Sequence, residues 1–256
     1  MKYTLDTDFS TLNGPKAANW IMDFSGIVEK AFADSNDHAR LLGNLLVLEM
    51  CAHTLRQGLA GIGRTVPVIL QDALDLLWEY LEGNKEPSDL QDFANNFYAS
   101  TLNYNVGEEI SEAQEEFYKA NFKDVGRTTF EWRILTWLSV VFMELVAVTG
   151  GRLDFEEYRE YEPEIDFAEM QVMIELLGDA CIEFTGTPLP SNKVKDVTNA
   201  LEHVYQTPLF RQFIGRIQKG LIAALSAVPE QYLVLREEYR RYTILPEEYA
   251  AKLLGF

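Results

Sequence analysis

One stretch constrains this chain more than any other: residues 128–149, TTFEWRILTWLSVVFMELVAVT. Between Ile134 and Val148 its only charge is Glu144. Apolar side chains fall on every side of a helical wheel, the pattern of a helix buried all round. About 22 residues would run roughly 33 Å, the width of a small domain. A membrane span needs about 18 or more apolar residues in a row, and Glu144 interrupts a run already shorter than that. The stretch therefore predicts the central post of an all-α domain. A lone buried carboxylate must be paired or protonated. An Arg partner would make Glu144 structural, whereas a cavity beside Glu144 and Trp137 would make both pocket residues.

The rest of the chain supplies neighbours for that post. Residues 1–12 have no clear period and read as an extended arm or a cap. Asn13-Gly14-Pro15 opens a first helix to about Phe32. The cluster Asp34-Ser35-Asn36-Asp37 caps a second over 38–59, nearly as apolar as the central one. Thr65 is placed to cap a third over 66–81 and Ser88 a fourth to about Leu102. Asn103 to Gly107 reads as a loop, and an acidic helix follows over 108–122. Past Gly150-Gly151 come a short acidic helix over 154–161 and a longer one over 167–184, capped by Asp166. Gly186-Thr187-Pro188-Leu189-Pro190 is the clearest linker. Ser191, Thr207-Pro208, Pro229 and Pro246 then open four more helices, the penultimate over 230–242. No stretch alternates apolar and polar residues for long, so little or no β structure is expected. The expectation is one all-α domain over residues 1–256, of about ten helices, in which residues 191–256 could pack as a semi-independent subdomain.

The formal net charge is -18, and it is unevenly placed. Residues 70–124 carry thirteen Asp/Glu against three Lys/Arg, and residues 153–185 eleven against one. Each stretch is therefore at -10, and the remainder of the chain is slightly basic. Such a surface repels nucleic-acid phosphates and anionic lipid, and draws in a basic protein. The acidity also has a plainer reading, which is solubility. The N-terminus shows no basic segment followed by an apolar one, so the cytoplasm is the expected compartment. Cys51 and Cys181 lie in apolar helical patterns and read as buried free thiols.

No chemical motif is complete. Glu49 and His53 share a helix face and would suit a metal, but the Glu-x-x-His of di-iron bundles is missing. Gly61-Ile62-Gly63 with Arg64 offers amides and a cation to an anion, or simply a helix break. Gly63-Arg64-Thr65 recurs as Gly126-Arg127-Thr128, two similar caps without a surrounding duplication. Helical pyrophosphohydrolases of the MazG type hold Mg²⁺ with Glu-x-x-Glu on one helix and Glu-x-x-Asp on the next. Glu157 and Glu160 have the first spacing; Glu175 and Asp179 are one residue too far apart for the second but still share a face. The alternative reading is a solvated acidic face. Arg236, Arg240 and Arg241 lie among Tyr232, Tyr239 and Tyr242, interrupted by Glu237 and Glu238. Pairing with the chain's own acidic helices accounts for them better than nucleic acid does.

Residues 66–83, VPVILQDALDLLWEYLEG, follow an apolar helix containing a Cys. Through Ala73, Leu74, Asp75, Leu76, Leu77 and Trp78 this segment resembles the uncharacterised YjaG-type helical family. It is also similar to the all-helical immunity proteins of bacterial polymorphic toxins. The resemblance covers about a quarter of the chain and carries over no catalytic residue. It implies a small cytoplasmic binding protein. Together with the charge pattern it leads to a non-enzymatic protein that binds a basic partner such as a toxin, through Glu109, Glu112, Glu115, Glu116, Glu156, Glu157 and Glu160. No cofactor, nucleic acid or membrane is expected, and a homodimer is compatible with the same surface. The alternative is a Mg²⁺-dependent phosphohydrolase acting on a phosphorylated small molecule such as a nucleotide.

Overall fold

Caps and breakers set the element boundaries. The structure, a computed structural model, describes residues 3–106, 111–126, 128–155, 163–186 and 194–255. Asp8 caps a single 3-10 turn, Phe9–Thr11, and Asn13 accepts from the Lys16 amide to open α1 (Gly14–Met22). The expected first helix is in fact two, because Asp23 leaves helical dihedrals (ψ 1°) before α2 (Phe24–Ala31). Trp20 and Phe24 are both fully buried on either side of that break, their rings 5.4 Å apart. Asn36 caps α3 (Asp37–Gly61) through the Ala39 amide. Thr65 caps nothing; Pro67 takes the cap position of α4 (Val68–Leu81) instead.

The next helix, α5 (Pro87–Val106), starts one residue before Ser88 and runs through the residues expected to form a loop. Ser111 and Gln114 form a reciprocal capping box at the head of α6 (Glu112–Asn121). Thr128 caps α7 (Thr129–Val148), the expected post, and Gly150 ends it with φ +76°. Then come α8 (Ala168–Phe184), α9 (Val194–Val204), α10 (Pro208–Ser226, capped by Thr207), α11 (Tyr232–Tyr239) and α12 (Glu247–Leu253). Of the short acidic helix expected over 154–161, Asp154 and Phe155 are described and are not helical, while 156–161 and the Ser191 cap fall outside the described residues. No strand occurs among the described residues, and the fold is all-α.

Two helices share the centre. α7 is buried along most of its length, with Trp132, Thr136, Val140 and Ala147 as a half-buried edge. α3 is buried on every side from Arg40 to Ala52. It packs against α4 and α7 and also against the late helices α10, α11 and α12. α12 lies so close to α3 that a side chain at Gly58 would meet the Ala250 carbonyl. α5, α6 and α7 meet through aromatic rings: Phe93 lies 4.9 Å from Phe142 and 5.7 Å from Phe117, and Phe122 stacks on Tyr118 at 5.3 Å. Each fully buried large apolar side chain contributes about 1.5–3 kcal/mol. α6 itself buries no residue fully; the half-buried Phe117 and Tyr118, with the buried Phe122 at its C-cap, hold it against its neighbours.

Candidate functional site

Three groups of polar residues stand out against this apolar interior. The first surrounds Glu144. Its side chain is 8% exposed, and its Oε2 accepts from the Asp166 amide at 3.3 Å. No cation pairs with it among the described residues, so the expected Arg partner is replaced by a backbone amide. Burial, and then the nearby Asp166 charge, push its pKa well above the ordinary carboxylate value. Trp137, one heptad earlier on the same face, donates its indole N–H to Asn44 Oδ1 at 2.9 Å. Asn44 in turn donates to the Asp166 carbonyl at 3.0 Å, and Arg40 donates to the Ile165 carbonyl at 2.9 Å. Glu144 and Trp137 are therefore brought together, as candidates for one site, around the backbone of residues 165–166. Their polar atoms clamp the entry to α8 onto α3 and α7.

The second group joins α3, α4 and α11. Glu49 is 1% exposed and receives two donors on one oxygen, Trp78 Nε1 at 2.8 Å and Arg240 Nε at 2.9 Å. Asp75 pairs with both Arg240 and Arg236, and Arg236 also reaches Glu82 at 3.0 Å. Burial raises the Glu49 pKa, with Arg240 and Trp78 pulling against it. For Asp75 burial also acts upward, but the two guanidiniums prevail and its carboxyl is held low. Asp75 therefore ties α4 to α11 and its end, and Trp78 ties α4 to α3. Arg236 and Arg240 do pair with carboxylates on α3 and at α4, while Arg241 pairs with Glu237 four residues earlier. The Glu49–His53 metal reading fails, because Glu49 is taken by Arg240 and Trp78. His53 sits beside Arg56 (3.3 Å) and Gln57 (3.2 Å).

The two Gly-Arg-Thr fragments also meet. Arg64, considered above for an anion, instead lies 3.5 Å from the buried Glu131 and donates to the Asp124 carbonyl at 3.3 Å. Gly126 fits beneath them; a Cβ there would overlap both the Glu131 carboxylate and the Arg64 guanidinium.

The third group is the acidic surface. Glu112, Glu115 and Glu116 are exposed along α6, and among the described residues only Glu115 has a close cation, Lys119 at 2.5 Å. Glu109, Glu156, Glu157 and Glu160 lie outside the described residues. Of the four carboxylates considered for Mg²⁺, Glu175 and Asp179 are described. They sit exposed on one face of α8; burial, and then Glu175, raise the Asp179 pKa. Among the described residues no cluster of three or more His, Cys, Asp or Glu has the arrangement of a metal site, and no helix is long and apolar enough to cross a membrane. No protein-family model, curated protein or solved structure matches this chain.

Proposed function

We propose that this chain is a non-enzymatic acidic helical protein whose exposed carboxylates receive a basic partner, in the manner of an immunity protein that neutralises a basic toxin such as a nuclease. The observation that carries this reading is α6. It presents Glu112, Glu115 and Glu116 to solvent from a helix fixed underneath by Phe93, Phe117 and Phe122. Arg236 and Arg240 offset part of the acidity of residues 70–124 through Asp75 and Glu82, but among the described residues they pair with none of the α6 carboxylates. A fixed single-sign surface accelerates encounter with an oppositely charged partner and shields that partner's nucleic-acid-binding face.

The first partners to test are any basic proteins encoded beside this chain's gene. Binding measured over a salt series should weaken steeply from about 50 to 300 mM, since surface attraction is screened within about 10 Å at 0.1 M. Replacing Glu112, Glu115 and Glu116 together by Lys should slow association more than it speeds dissociation. Binding that ignores both salt and these replacements overturns the reading. The Mg²⁺ phosphohydrolase alternative has only Glu175 and Asp179 among described residues. It separates from the proposal by a saturable rise in melting temperature with Mg²⁺ or Mn²⁺.

A further inference from the structure

A small cleft of about 200 Å³ opens where α3, α10 and α11 meet, lined by Met50, Arg216, Lys219, Tyr239 and Tyr242. Arg216 and Lys219 are three apart on α10 and so share a face. Arg216 donates to the Thr243 carbonyl and hydroxyl, and no carboxylate pairs with it among the described residues. In a chain with a net charge of -18, a half-buried guanidinium without a counter-charge is an uncompensated cost. Burial pulls its pKa below the ordinary value, with no acidic neighbour acting against that.

Tyr239 closes one side of the cleft with its ring, and its hydroxyl is buried away from the opening. It is 1% exposed, and its buried hydroxyl has no hydrogen-bond partner among the described residues. Burial pushes that hydroxyl to about 12, so it stays a protonated donor at any physiological pH. The ring packs beside Gly220, and the next residue, Arg240, is fixed by Glu49 and Asp75. Lys219 lies over the Tyr242 ring at 4.9 Å and 3.2 Å from Glu238, the one carboxylate in the group. Arg216 and Lys219 against Glu238 leave the cleft with one net positive charge and several undirected donors. Met50 gives it an apolar floor.

We infer that this cleft binds a small oxyanion, a carboxylate or phosphate group carried on a short apolar body. Arg216 and Lys219 would hold the charge. The cleft is independent of the acidic surface on α6, so its test does not depend on the basic partner.

The test is melting temperature and isothermal titration calorimetry on the full chain with inorganic phosphate and with propionate, each against chloride at matched ionic strength. A saturable rise with either probe, absent with chloride, is the expected result. A response to propionate alone identifies carboxylates, and one to phosphate alone identifies phosphate esters. Lys219→Met and Arg216→Met should each weaken binding by about tenfold or more, the usual effect of losing a charged hydrogen bond. Exposed Lys16, far along the chain on α1, serves as the control, and Lys16→Met should change nothing. Equal responses to phosphate, propionate and chloride, or binding unchanged in Lys219→Met and Arg216→Met, overturn the inference.

Discussion

Arg240 donates to Glu49 at 2.9 Å across 191 positions of sequence, and Trp78 donates to the same carboxylate oxygen. Glu49 is as deeply buried as any leucine around it, so its charge depends on that guanidinium. Arg240→Met leaves it uncompensated, and urea denaturation should show a loss of about 3 kcal/mol or more. Glu49→Gln in the same background should recover a substantial part. Equal destabilisation by the single and double replacements would show that the two groups do not depend on each other.

Glu144 gives stability an unusual pH dependence. Its folded-state pKa lies well above 4.5, so the native state holds a proton that the unfolded chain releases first. Its contribution is complete below pH 4.5 and declines as pH rises toward the folded pKa, by at most about 1.4 kcal/mol per pH unit. Glu49 and Glu29 act with the same sign, whereas Asp75, held low, acts with the opposite one. Glu144→Gln should flatten the stability profile above pH 4.5 and be at least as stable as the parent at neutral pH. An unchanged slope in urea titrations across that range would contradict this account.

Gly58 lies inside α3 because α12 crosses it. A methyl group there would approach the Ala250 carbonyl to 2.5 Å and force the two helices apart. Gly58→Ala raises helix propensity by about 1 kcal/mol in isolation. It should nevertheless lower stability, by about 1–3 kcal/mol, because the overlap is with backbone. Hydrogen exchange should localise the loss to α12.

Both cysteines are buried and unpaired, and burial pushes the Cys181 thiol to about 12 and raises that of Cys51 further. Only a thiolate reacts readily. A thiol reagent at pH 8 should label neither residue in the native protein and both in denaturant. Native labelling at the global unfolding rate would still fit; rapid labelling would not.

The sequence discloses some of these elements and hides others for definite physical reasons. α7 is visible because a run from Ile134 to Val148 with one charge has no other stable place, and Thr128 is a good cap. The break at Asp23 is not, since no Gly or Pro marks it and Trp20 and Phe24 keep a helical spacing across it. Asn103 and Asn105 suggest a loop, yet each disfavours a helix by well under 1 kcal/mol, and packing of α5 on α7 outweighs that. The C-terminal arginines announce that they need carboxylates, but not which ones. The partner of Glu144 is invisible in principle, because the group that meets it is a backbone amide, which every residue but proline carries. The oxyanion cleft is hidden for a related reason: Met50, Arg216 and Tyr239 come together from three separate helices.

The position of α3 has a consequence for how the molecule is made. This long buried helix leaves the ribosome early, yet α10, α11 and α12, which cover it, begin only at Pro208 and beyond. Throughout that interval the side of α3 away from α4 and α7 stays uncovered, and Glu49 in its middle has Trp78 but no counter-charge. Chaperones that hold exposed apolar segments have their natural target there, and the arrival of Arg240 marks the moment when the target disappears.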